Sequence, residues 1–177
     1  MNPIYITGAG VVSAIGVGKD ETLTSLREGL SGISKMKYLQ SVHEELPVGE
    51  VKLSNEEMMQ LLGVAYEPQI PRTVLIGRLA LREALKEASL EGDMLKEVAF
   101  ISATTVGGMD RRELFHAKEP NCDAAFAAIA NHNCADSSEM TAEPFGDFAT
   151  ISTLSTACSS ATNAMITGAN MLQCGLA

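Results

Sequence analysis

The run Ser155-Thr156-Ala157-Cys158-Ser159-Ser160 sets a cysteine where β-branched and hydroxyl residues give way to an alanine- and methionine-rich segment at helical spacing. A thiol in the first turn of a helix feels unsatisfied backbone N–H groups and the positive end of the helix dipole, and both favour the reactive thiolate. The same turn can present the Cys158 N–H to a developing oxyanion, while small neighbours at Ala157, Ser159 and Ser160 leave room for a substrate. On position alone the commoner assignment of Cys158 is a small buried core residue, with a nucleophile as the alternative.

Other chemistry-bearing patterns are weaker. His116, Cys122, His132 and Cys134 match no usual zinc spacing, and a polar loop that contains them is the ordinary explanation, so no metal site is assigned. Gly8-Ala9-Gly10 follows an apolar run, but a dinucleotide turn needs glycine three residues after Gly10, where Ser13 stands. Neither G-x-S-x-G nor a P-loop occurs. The four cysteines, Cys122, Cys134, Cys158 and Cys174, form no C-x-x-C pair and read as free thiols.

The elements that must position Cys158 alternate between strand and helix. Ile4 to Thr7 reads as a short strand, and Asp20 as the cap of a helix running through Leu23 and Leu26 to Gly29. Val48 to Val51 forms a weak strand pattern, and Ser54-Asn55-Glu56-Glu57 fits a capping box that opens a helix toward Leu62, with Met58 and Met59 in the core. From Thr73 to Ala88, Leu75, Ile76, Leu79, Ala80 and Leu85 recur at helical spacing. Val98 to Ala103 has the continuous apolar form of a buried strand, helices are predicted over Asp110 to Ala130, and a polar loop from there to about Asp147. A strand from Thr150 to Leu154 then leads to the cysteine, which gives an α/β layered fold in one domain.

A composition 46% hydrophobic and 20% charged suits a globular interior, filled by aliphatic and methionine side chains because Trp is absent. The formal charge of −9, with no lysine- or arginine-rich stripe, argues against a nucleic-acid partner. No signal peptide or membrane-spanning run is read from the sequence, so the expected location is cytoplasmic.

Three blocks resemble the β-ketoacyl synthases of the thiolase-like fold: IYITGAGVVSAIGVG, PRTVLIGRLALREALKEASL and, most specifically, FGDFATISTLSTACSSATNAM. The resemblance implies a layered αβαβα architecture, here an incomplete N-terminal half with a mixed sheet flanked by helices, spanning residues 1–177 as one domain. It makes Cys158 the nucleophile that takes an acyl chain from a thioester. The acyl-cysteine would then be attacked by the carbanion released when malonyl carrier protein loses carbon dioxide, giving a 3-oxoacyl product in fatty acid or polyketide-type synthesis. Two histidines and a lysine that assist this step lie in the second half of family members, so the segment alone is expected to be inactive.

The resemblance further implies an acyl carrier protein partner, a homodimer or synthase heterodimer, and no cofactor beyond the phosphopantetheine that carries the substrates. Val106 matches a position that commonly lines the acyl pocket, although it could equally be core. Ala65 to Arg72 lacks the basic cluster that often docks the carrier, and Arg72 and Arg78 read as solvated surface charge. The family continues with another strand just after Ala177, so the chain is expected to be truncated, with Ala164, Met165, Ala169 and Leu172 exposed. Two other classes are open: a non-catalytic pairing subunit, and a thiolase-like coenzyme A acyltransferase.

Overall fold

The computed structural model describes residues 3–39, 41–109 and 133–177. In chain order these form β1 (Val12–Ser13), β2 (Gly16–Val17), α1 (Lys19–Glu28), β3 (Ser34–Lys35), β4 (Pro47–Val48), α2 (Asn55–Leu62) and α3 (Arg72–Ala88). A 3₁₀ turn at Gly92–Glu97 then leads to β5 (Ala99–Ala103), α4 (Cys134–Ala142), β6 (Thr150–Leu154) and α5 (Ser160–Cys174). The helices predicted over Asp110 to Ala130 lie outside the described residues.

The chain divides into two compact units, one of Met1–Ile6, Glu67–Val74 and Leu90–Ala177, the other of Thr7–Tyr66 and Leu75–Ser89. In the first, β5 and β6 pair in parallel from Ala99 opposite Thr150 to Ala103 opposite Leu154. Successive side chains alternate between faces, so each face receives its own helix. On one face Gly168 of α5 sits over Ile101, where an added Cβ would lie 3.6 Å from the isoleucine Cδ1. On the other, the Thr153 hydroxyl donates to Ser138 Oγ of α4 at 2.7 Å. This helix, sheet, helix layering is the α/β arrangement read from the alternation of elements.

In the second unit the glycines of the Gly8-Ala9-Gly10 turn lie against helix backbone. A Cβ at Gly8 would fall 2.3 Å from the Ala84 carbonyl oxygen, and one at Gly10 1.9 Å from that of Ala80. Glu83 and Glu87 of α3 fix the same segment by accepting the Val11 N–H at 3.0 Å and the Ala9 N–H at 2.7 Å. The glycines therefore serve helix packing. Met58, Met59, Leu75, Leu79 and Leu85 are buried, as their spacing on α2 and α3 requires.

Five expectations are corrected. Ile4 to Thr7 joins no ladder among the described residues, and Ile6 is 83% exposed; an apolar run becomes a strand only where a neighbouring backbone meets it. Asp20 lies inside the first turn of α1, whose preceding residue is Gly18, and Glu21 reaches back to accept the Val17 N–H at 2.7 Å. The weak strand at Val48 to Val51 is displaced to Pro47–Val48, which pairs antiparallel with Ser34–Lys35. The polar loop before Asp147 contains α4, begun by Asp136 accepting the Asn133 N–H at 3.1 Å. Arg78, read as solvated, is only 5% exposed and has an interaction partner, so its charge belongs to the packing of α3.

Candidate active site

The parallel pair ends at Ala103 and Leu154, and the Thr104 N–H extends it by one bond to the Leu154 carbonyl oxygen at 3.3 Å. Both chains therefore leave the sheet at the same carboxyl end, where α/β folds place their ligands. The first turns through Thr104, whose Oγ1 accepts the Val106 and Gly107 N–H groups, each at 3.4 Å. Gly107 has φ 51, and its carbonyl oxygen accepts the Thr73 hydroxyl at 3.1 Å. Val106 is 48% exposed on this turn.

The second chain turns through a 3₁₀ segment, Ala157–Ser159, directly into α5. Cys158 is exposed with a free thiol. The Ser159 N–H, to the Thr156 carbonyl oxygen at 3.2 Å, is the first that the turn satisfies. The Cys158 N–H precedes it and, among the described residues, belongs to the unsatisfied donors of a helix start. No charged residue occurs from Phe148 to Ala177.

Ala157 has φ 51, a left-handed conformation that costs a residue with a Cβ about 1–2 kcal/mol. Four side chains surround it. Ser160 Oγ accepts the Thr156 N–H at 2.9 Å and donates to the Ala157 carbonyl oxygen at 2.7 Å. Ser159 Oγ donates to the Thr156 carbonyl oxygen at 2.8 Å, and Asn163 Nδ2 donates to Thr156 Oγ1 at 2.9 Å. Ser159 and Ser160 thus do more than leave space, and Ser160 is itself buried. Residues 156, 160 and 163 stand four and three apart, a spacing equally common on solvated helix faces, so the sequence alone did not mark this network.

Of the other candidates, Cys134 is half-buried near the start of α4, whereas His116, Cys122 and His132 lie outside the described residues. Among the described residues no helix is long and apolar enough to cross a membrane.

The site is thus a layered α/β unit with an exposed cysteine on the turn between β6 and α5. The family model described as "Beta-ketoacyl synthase, N-terminal domain" matches residues 1–177. The chain belongs to that family. It is 32% identical over 103 residues to a 3-oxoacyl-[acyl-carrier-protein] synthase 1 of Buchnera aphidicola subsp. Baizongia pistaciae (strain Bp), a match covering 53% of this chain and 23% of the relative. The ishigamide ketosynthase/chain length factor superposes with a TM-score of 0.79 at 23% identity, over 96% of this chain and 44% of that one. A type II polyketide synthase ketosynthase, solved with its acyl-carrier protein and bound to the hexaketide, gives a TM-score of 0.61 at 18% identity, covering 97% and 47%. The chain therefore spans less than half the length of each of these proteins.

Proposed function

We propose that this segment is the acyl-accepting part of a 3-oxoacyl-[acyl-carrier-protein] synthase. The observation that carries this reading is the exposed Cys158 at the start of α5, on the turn that leaves the parallel pair. Its thiolate attacks the carbonyl carbon of an acyl chain held as a thioester on the phosphopantetheine of an acyl carrier protein. A carbon–sulfur bond to Cys158 forms, the bond to the carrier sulfur breaks, and that sulfur leaves as a thiolate that takes a proton from water. The oxyanion of the tetrahedral intermediate is met by the Cys158 N–H. Val106 lines the path of the acyl chain, a role that fits its exposure beside the same sheet end.

The carrier supplies both substrates, so no resident cofactor or metal enters the step. Decarboxylative condensation with malonyl carrier protein requires acid-base groups outside this chain, and the 177 residues alone are inactive. The intact polypeptide works as a homodimer or synthase heterodimer in the cytoplasm. One structural neighbour pairs a ketosynthase with a chain length factor, but the cysteine retained at 158 favours the catalytic role over a non-catalytic pairing subunit.

The test is peptide mass analysis of the intact natural polypeptide after exposure to acyl carrier protein thioester. An acyl adduct on Cys158, absent from C158A, is expected. A protein that condenses while Cys158 stays unmodified would overturn the assignment. Supplying the same acyl group on coenzyme A separates a thiolase-like acyltransferase, which would prefer it.

A further inference from the structure

We infer that Ser160 is a positioning residue for the Cys158 N–H, the donor assigned above to the oxyanion; the inference rests on that functional reading. The Ala157 carbonyl and the Cys158 N–H belong to one planar peptide unit and point in opposite directions. Whatever holds that carbonyl therefore aims that N–H. The Ala157 carbonyl oxygen accepts two bonds from Ser160, one from the backbone N–H and one from the hydroxyl at 2.7 Å.

The same hydroxyl accepts the Thr156 N–H at 2.9 Å, so a single buried oxygen ties the peptide before Thr156 to the peptide after Ala157. The peptide between them is held by Ser159, whose N–H and hydroxyl both donate to the Thr156 carbonyl oxygen. Three consecutive peptides are thus fixed, and the residue they enclose is Ala157 with φ 51. Without the Ser160 hydroxyl, the Thr156 N–H loses its acceptor and only the Ser160 N–H holds the Ala157 carbonyl, so Ala157 is less restrained from the right-handed region and the Cys158 N–H is less firmly aimed. Ser160 does not touch the reacting atoms; it acts through the peptide that does.

The experiment uses the intact natural polypeptide and follows single-turnover formation of the Cys158 adduct, with melting temperature recorded for each variant. In S160A the rate constant at saturating acyl carrier protein falls roughly 10- to 100-fold, as expected for a displaced catalytic donor, while half-saturation stays near wild type. S160T, which keeps the hydroxyl, restores most of the rate. A merely structural serine would lower the melting temperature without this split between rate constant and half-saturation. S160A acylating within twofold of wild type, or losing only affinity for the carrier, overturns the inference while the functional reading stands. Absence of any wild-type adduct overturns both. If S160A does not fold, S159A carries the test, because its exposed hydroxyl bonds the middle peptide. A several-fold slower acylation supports the clamp, and a wild-type rate ends it.

Discussion

At the scale of single residues, close approaches and local hydrogen bonds decide what a position can hold. Gly10 is such a position, since an added Cβ would lie 1.9 Å from the Ala80 carbonyl oxygen and 2.8 Å from the Ala80 carbonyl carbon. Neither atom can move without displacing α3, so G10A is expected to cost about 1–3 kcal/mol, the usual range for overpacking. Urea denaturation of the 177-residue chain checks this; a midpoint equal to wild type would show that the turn can slide along the helix. The location of Cys158 was legible in the sequence because a β-branched run followed by small residues marks a strand-to-helix junction. The network around it was not. Ser159, Ser160 and Asn163 are as common on solvated helix faces as in clamps, and only the left-handed φ of Ala157 shows why their hydroxyls and amide turn inward.

At the scale of elements, legibility followed the strength of local signals. α3 carries a helical apolar period over 17 residues and α2 a complete capping box, and both were read within a residue or two. α4 was missed because Cys134–Ala142 has little apolar periodicity, and its start depends on Asp136 rather than on an evident stripe. Capping gives one prediction here. Ser54 Oγ accepts the Glu57 N–H at 3.1 Å and Glu57 accepts the Ser54 N–H at 2.6 Å, so S54A should cost about 1 kcal/mol of stability, read as a lower urea midpoint. No change would mean that α2 is held by Met58 and Met59 alone.

The carboxylates of the same unit give a pH prediction. At Glu57 the Ser54 N–H is the main cause of a downward shift. At Glu87 the Lys19 side chain acts first and the Ala9 N–H second, again downward. Burial opposes the charge of Glu50, but N–H donors from Leu39, Tyr38 and Lys37 outweigh it and hold the carboxyl below its ordinary value. A carboxyl depressed in the folded state stabilises it fully above the unfolded value, roughly pH 4.3, and that contribution is lost as pH falls through the lowered folded values. Urea midpoints should therefore be level near pH 6 and decline toward pH 3. E50Q should flatten part of that decline, whereas a wild-type midpoint that does not fall over this interval would contradict the arrangement.

At the scale of the whole molecule, the governing feature is apolar surface left in contact with water. The expected exposure on α5 holds for Met165, at 69%, and Leu172, at 51%, while Ala164 and Ala169 are half-buried. Met165 and Leu172 are seven residues apart and so share a face, which Leu176 extends just beyond the helix. The chain also carries nine net negative charges, which oppose association. Two effects therefore compete, and their ranges decide the outcome. Charge repulsion is screened beyond about 8 Å at physiological ionic strength. Covering a methionine or leucine gains about 1.5–3 kcal/mol per side chain and does not weaken with salt. The 177-residue chain is therefore expected to associate reversibly, more strongly at 0.5 M than at 0.02 M sodium chloride. The double variant M165Q/L172Q should shift sedimentation velocity profiles toward the monomer at equal protein concentration. A wild-type chain that sediments as a monomer at both salt concentrations would show that this face is no adhesive surface.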